Sequence, residues 1–422
     1  MCSELFRIPT QWHGVPIFGV GVLLAAWLIG CGLAIVYSAR RTGWSAETWG
    51  YLPGLALGAL GIVVIPRLFP EGLPIRGYGV MVLTGSLFAM GMVLHRARQV
   101  GLNPEVIFSL AFVLFICGIL GARLFFVIEY WDTRFRYDDW STTLLEIVKF
   151  TEGGLVFYGS IIGGALAYVV MVRRMRLPGL ALADLIAPSL LAGLAFGRIG
   201  CLFNGCCYGG ETDKQWAVTF PRDSIPYMEQ VSSGRMVDLR VGGVDENDPR
   251  PVIESVDENS PAAEAGAEIG MKITFINGQA VRNVAEAQQE LLVAFASGLP
   301  LKLVTDAGKV VEIAAHPPSR SRPVHPTQLY SSVNAALLAW LLWSFYPFRR
   351  RDGEVVALML LLYPIARFLL EVIRVDESAV FGTGLSISQN ISLVVLVAGI
   401  ALWVSLCRQP AGKATFSIGT SS

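Results

Sequence analysis

The chain has 422 residues, 53% of them hydrophobic and only 16% charged, with a mean hydropathy of +0.54. Its 33 basic and 33 acidic side chains cancel, so nothing argues for a nucleic-acid partner, and an ordinary soluble domain is excluded by the apolar excess. The class that remains is a polytopic membrane protein.

Apolar runs of about 20 residues, enough to cross a bilayer, lie near 15–38, 51–69, 76–94, 105–128, 154–172, 181–203, 328–346, 354–373 and 386–407. About nine transmembrane helices are therefore predicted, the second being the weakest because Pro53, Pro66 and several glycines interrupt it. Short loops alternate in charge: Arg40 and Arg41, then Glu71, then Arg96 and Arg98, then an acid-rich stretch over 129–152. Arg173, Arg174 and Arg176 follow, then the polar segment 204–325, Arg349 to Arg351, Asp376 with Glu377, and finally Arg408 and Lys413. Arginine-rich short loops stay cytoplasmic. The N-terminus and the 204–325 segment are thus expected outside the cytoplasm, and the C-terminus inside.

The first two spans echo the next two, VPIFGVGVLLAAWL against LPIRGYGVMVLTGS at an offset of 58 residues. Internal duplication and chance likeness between glycine-rich helices both account for this. Under duplication, Arg76 and Tyr78 mark the second copy, because Phe18 and Val20 stand in the first.

Residues 241–316 differ in kind, with strand-like PVIESV, KITFIN, LKLVT and KVVEIAA and one helix near 284–296. The run ENSPAAEAGAEIGMKITFINGQAV resembles a PDZ domain, although Met271 stands where an Asp is usual. PDZ folds bind a peptide by strand addition and receive its carboxylate on backbone amides; here the resemblance puts those amides at Val241, Gly242, Gly243 and Val244. A peptide ligand and a ligand-free spacer are both open readings.

Arg198 ends the apolar run that begins at Leu182, and Arg367 sits inside ALMLLLYPIARFLLEVIR. A guanidinium cannot shed its charge, so at membrane depth it needs an anion, a carbonyl or water. Glu371 and Arg374 follow Arg367 by four and seven residues, on one helix face, where an ion pair can hold it.

The blocks PIRGYG (74–79), GARLFFVIEY (121–130), GGLVFYGSIIGG (153–164), GRIGCLFNGCCYGG (197–210), HPTQLYSS (325–332) and YPIARFLLEVIR (363–374) together resemble the prolipoprotein diacylglyceryl transferase family. The resemblance covers 74–407 without the insert and the two leading helices. It implies an all-α polytopic membrane protein of about nine helices with a small extracytoplasmic PDZ-like α+β domain inserted. The boundaries expected are 1–72 for the extra helix pair, 73–240 and 317–410 for the membrane core, 241–316 for the insert and 411–422 for a cytoplasmic tail.

The resemblance also implies a reaction: the diacylglyceryl group of phosphatidylglycerol passes to the lipobox cysteine of a prolipoprotein, and glycerol 1-phosphate leaves. Partners would be that lipid and the precursor proteins, the location a bacterial inner membrane, with no cofactor. By resemblance Arg198 holds the lipid phosphate and Arg367 is a second essential cation, with Arg123 facing the cavity. Tyr78 and Asn204 donate hydrogen bonds, Gly205 and Gly209 let the backbone approach the headgroup, and Glu371 supports Arg367. Arg374 is expected to snorkel to the interface.

Three departures stand out. Tyr158-Gly159-Ser160 replaces the family's His-Gly-Gly, and Cys201 and Cys206 replace an Asn and a Glu. A phenol ordinarily titrates at about 10, so Tyr158 is a poor general base at neutral pH; thiol activation can come instead from the arginine field, and His325 is a weaker substitute. Cys201, Cys206 and Cys207 leave a disulfide, a redox role and plain packing open. No HExxH or CxxC spacing supports a metal, which also removes an intramembrane metalloprotease. Cys2 has no apolar run before it, so the chain is not expected to be a lipoprotein itself. The rival reading is a relative that binds anionic lipid or precursors without transferring anything.

Overall fold

The computed structural model describes residues 4–43, 52–136, 139–149, 153–243, 248–298, 300–313, 318–374, 379–380 and 382–416. Its helices are α1 (Val22–Thr42), α2 (Leu52–Leu68), α3 (Gly77–Gln99), α4 (Pro104–Glu129), α5 (Trp140–Val148), α6 (Phe157–Arg174), α7 (Gly179–Asn204), α8 (Ile225–Ser232), α9 (Val284–Ser297), α10 (Thr327–Phe345), α11 (Glu354–Glu371) and α12 (Ile387–Cys407). Among the described residues, five of these, α1, α3, α4, α7 and α12, are long and apolar enough to cross a membrane. The protein is mostly helical, as a polytopic membrane protein should be.

The chain divides into two compact units, 1–81 with 200–206 and 219–323, and 82–199 with 207–218 and 324–422. Helices α3 and α7 each contribute to both.

In the first unit, β1 (Glu4–Ile8) pairs antiparallel with β4 (Leu73–Arg76), directly before α3, and β2 (Gln11–Trp12) pairs with β3 (Val15–Pro16). The α1 and α2 helices meet where Trp27 donates from Nε1 to the Leu55 carbonyl at 3.1 Å. A Cβ on Gly58 would come within 2.4 Å of that indole, so only glycine lets the ring lie against α2.

Residues 239–313 build a small α+β body. Strand β5 (Leu239–Gly242) pairs with β6 (Val252–Val256), and a second sheet runs β10 (Val310–Ile313), β9 (Leu301–Thr305), β7 (Ile273–Ile276), β8 (Gln279–Ala280). Leu239, Ile253, Ile273, Ile276, Leu301, Leu303 and Ile313 of these strands bury in one core with Ala287 and Leu291 of α9, and β9 and β10 do so with the period-two alternation of a half-buried strand. Asn283 caps α9 by accepting from the Glu286 amide at 2.9 Å, and Gly298 ends it at φ +66°.

Arg322, on the way out of this body, bonds Asp238 at 2.7 Å and Asp257 at 2.6 Å, while Arg235 reaches Asp257 at 3.0 Å. The two chain crossings into and out of the body are thereby tied together. Burial pushes the Asp257 carboxyl up, but the hydrogen bonds from Arg322 and Arg235 outweigh it and hold the group below the usual carboxylate range.

In the second unit α4 and α6 touch backbone to backbone. A Cβ on Gly121 would sit 2.4 Å from the Gly159 carbonyl, one on Gly159 equally close to the Gly121 carbonyl, and one on Gly163 2.3 Å from that of Cys117. Gly159-x-x-x-Gly163 is a small-residue stripe of the kind that packs membrane helices. Pro364 leaves the Leu360 carbonyl without its intrahelical donor, and Gly399 of α12 closes over it, 2.8 Å from where a Cβ would stand.

Asp184, fully buried on α7, accepts from the amides of Gly353 at 2.7 Å and Val356 at 2.8 Å. It satisfies orphan N–H groups at the start of α11, the helix that carries Arg367. Near the same end Arg96 stacks on Trp343 and Arg349 on Tyr346, with guanidinium-to-ring distances of 4.0 and 3.8 Å.

Candidate active site

Arg198 and Arg367 line one cavity. It is a narrow cleft between α7, α10 and α11 with a free volume of only about 10 Å3, and Leu194, Ser331, Asn334, Tyr363 and Leu370 complete its wall. Both predicted cations therefore line the same cavity.

Their surroundings differ. Arg367, with its side chain 14% exposed, meets Glu371 Oε2 at 2.5 Å and donates from Nη2 to Ser388 Oγ at 2.9 Å. The same carboxylate oxygen lies 3.7 Å from Arg374 Nη1. Glu371 thus serves the i,i+4 partner role expected of it. Arg374 does not snorkel; its side chain is 6% exposed, drawn inward by Glu371. Arg198 is half-buried and, among the described residues, makes no hydrogen bond or ion pair. Three guanidinium groups, of Arg198, Arg367 and Arg374, and one carboxylate, of Glu371, leave this part of the second unit electropositive.

Tyr78, Asn204 and Gly205 belong to the first unit. The Tyr78 ring lies on α7 at Gly200, where a Cβ would stand 3.2 Å from Cδ2, and Gly77 sits against Phe203 in the same way. Asn204 is the exposed last residue of α7. Gly205 at φ +76° turns the chain, its amide donating to the Cys201 carbonyl at 2.9 Å. Cys206 follows with a 3.2 Å bond to the same carbonyl, and no disulfide joins it to Cys201.

Gly209 does permit a close approach, but to protein. Its amide donates to the His325 carbonyl at 2.9 Å, and a Cβ would fall 2.7 Å from His325 Cβ and 2.8 Å from Thr327 Cγ2. His325 Nδ1 is 3.3 Å from the Tyr330 hydroxyl, which also accepts from Trp216 Nε1 at 2.7 Å.

Tyr158 occupies the first turn of α6, directly before the Gly159 contact with α4. Arg123, from α4, lies outside the cavity of Arg198 and is held among the main-chain carbonyls of Glu146, Ile147, Lys149, Gly153 and Gly154. Of the four amides proposed for peptide capture, that of Val241 already donates to the Ser233 carbonyl at 2.8 Å, and Gly242 pairs with Val252 in β5–β6. Gly243 abuts Val284, and Val244 lies outside the described residues.

Sequence reasoning missed Ser331, Asn334, Tyr363 and Ser388 as neighbours of the arginines. One signal was available: Tyr363 stands four residues before Arg367, on its helix face, and Ser331 and Asn334 are three apart. Ser388 comes from a separate helix, and no spacing pointed to it.

Comparison with known proteins gives a consistent result. The family model for prolipoprotein diacylglyceryl transferase matches residues 64–405. A phosphatidylglycerol–prolipoprotein diacylglyceryl transferase of Rhodopirellula baltica is 34% identical, covering 95% of this chain and 88% of that protein. That span is too long to leave out all of residues 1–72. Enzyme 2 of the same name from Clostridium perfringens is 28% identical over 81% of this chain and 94% of its own length, and one from Corynebacterium glutamicum 27% identical over 79% and 80%.

Proposed function

The chain belongs to the prolipoprotein diacylglyceryl transferase family, and from that premise we infer how its own residues carry out the reaction. It transfers the diacylglyceryl group of phosphatidylglycerol to the cysteine thiol of prolipoproteins in a membrane. The observation that carries the mechanism is the shared cavity of Arg198 and Arg367.

In the transfer, an S–C bond forms to the glyceryl carbon as the C–O bond to phosphate breaks. Glycerol 1-phosphate leaves with more negative charge than the phosphodiester had. A fixed guanidinium in a low-dielectric wall stabilises such developing charge without reorganising. Arg198 takes the phosphate oxygens bidentately, while Arg367, anchored by Glu371 and Ser388, adds field. Tyr78 and Asn204 donate to headgroup oxygens, and Gly205 provides the left-handed turn that carries Asn204. Tyr158 orients the incoming thiol by hydrogen bonding, and the thiol proton passes to water.

About nine of the helices, α1 to α4, α6, α7 and α10 to α12, span the membrane, with the N-terminus and the 241–316 insert outside and the C-terminus in the cytoplasm. The charge alternation of the short loops supports this topology. The α+β body is PDZ-like and gathers precursor proteins at the outer face, a reading supported by its SPAAEAG and INGQAV turns.

Purified protein incubated with phosphatidylglycerol and a lipobox peptide should yield a peptide whose mass has risen by one diacylglyceryl group on cysteine. Lipid bound with no adduct would favour the binder reading instead.

A further inference from the structure

We infer that Arg123 is a positioning residue that sets the first turn of α6, and with it Tyr158, by clasping the preceding loop; it is not a phosphate ligand. The inference rests on the transfer reading given above.

The geometry is complete within one unit. Arg123 is 7% exposed. Its Nε donates to the Ile147 carbonyl at 2.8 Å, Nη1 to Gly153 at 3.0 Å and Gly154 at 3.1 Å, and Nη2 to Glu146 at 2.6 Å and Lys149 at 2.9 Å. A guanidinium has five N–H donors. Five carbonyls take them, so a phosphate could be bound only by opening the clasp. Its Cζ also lies over the rings of Phe126 and Phe135, 5.4 and 5.6 Å from their centroids.

The carbonyls are themselves informative. Those of Glu146 and Ile147 end α5, where helix carbonyls lack intrahelical donors, so the cation both caps that end and meets its partial negative charge. Gly153 and Gly154 follow at φ +85° and +83°, a region that side chains rarely enter. A Cβ on Gly154 would lie 2.7 Å from Arg123 Nη1 and 2.5 Å from Phe126. Gly153 and Gly154 thus fit closely around the guanidinium.

From there the path to Tyr158 is short. The Val156 amide donates to the Ala122 carbonyl at 3.2 Å, and Gly159 abuts Gly121. Residues 121–123 therefore hold the segment on both sides of Tyr158 to α4. Releasing the clasp should misplace Tyr158 while leaving Arg198 and Arg367 on their own helices.

The test compares wild type with Arg123→Lys and Arg123→Gln in lipid nanodiscs, varying phosphatidylglycerol and lipobox peptide separately and following amide exchange by mass. Expected is a loss of kcat of about tenfold or more in both variants, a KM for phosphatidylglycerol within about twofold of wild type, and faster exchange confined to 146–156. Full activity in Arg123→Lys, a tenfold rise in that KM with unchanged loop exchange, or faster exchange throughout α7 and α11 would each overturn it. Should neither variant fold, Gly154→Ala opens the clasp from the loop side and must show the same kcat loss. A wild type with no transfer would sink the functional reading, while the exchange arm still decides the clasp.

Discussion

At the scale of single side chains, the two membrane arginines divide the work. Arg367 is held by Glu371 and Ser388, whereas Arg198 makes no hydrogen bond or ion pair among the described residues. Replacing Glu371 by Gln should therefore harm the fold before it harms binding, because a nearly buried guanidinium loses its counter-charge. Breaking a buried pair in this way costs about 3 kcal/mol, and a thermal melt in detergent should show it; an unchanged midpoint would mean that Arg374 and solvent leave Arg367 content without Glu371. The pair was legible in the sequence because i,i+4 spacing on a helix is fixed by geometry. Ser388 was not, since it comes from another helix and only tertiary packing brings it near.

At the scale of elements, α4 and α6 meet backbone to backbone where Gly121, Gly159 and Gly163 leave room. Gly159→Leu forces a side chain into the Gly121 carbonyl and should destabilise the bundle by about 1–3 kcal/mol, read as a lower unfolding midpoint in detergent; a neutral result would contradict the backbone contact. The stripe stood in the sequence as GSIIGG, although its likeness to the family's His-Gly-Gly block drew attention to chemistry rather than packing. Arg123 shows the same limit more sharply. A cation inside an apolar helix reads as a site, and nothing in the spacing shows that five carbonyls of a distant loop already occupy it.

The insert carries the pH dependence. Because the folded Asp257 carboxyl titrates below its unfolded value, its pairing with Arg322 and Arg235 supports the body at every pH above the unfolded carboxylate value, about 4, and the support fades as pH falls through the lowered folded value. Asp257→Asn should accordingly remove part of the acid sensitivity of the insert. Circular dichroism of the insert fragment carrying 219–323, followed from pH 7 to pH 3 with and without the substitution, checks this; identical acid profiles would assign the tie no role.

At the scale of the whole molecule, hydropathy placed the helices well because bilayer thickness fixes their length. The α+β character of the insert was equally legible, from alternating strands and turn residues. Its peptide edge was not, since the Ser233 carbonyl that takes the Val241 amide lies outside the motif. Deleting 241–316 should lower transfer to full precursors several-fold while sparing a short lipobox peptide, compared by mass; equal loss on both would give the insert a folding role.

The central claim is that an outside phosphate neutralises Arg198. Native mass spectrometry of wild type and Arg198→Lys in mixed lipid, with transfer to a lipobox peptide measured on the same samples, tests it most directly. The account predicts that the variant inserts normally, retains much less phosphatidylglycerol and loses about a hundredfold in transfer, the scale of one lost charge-stabilising donor. Equal lipid retention with full transfer would contradict it.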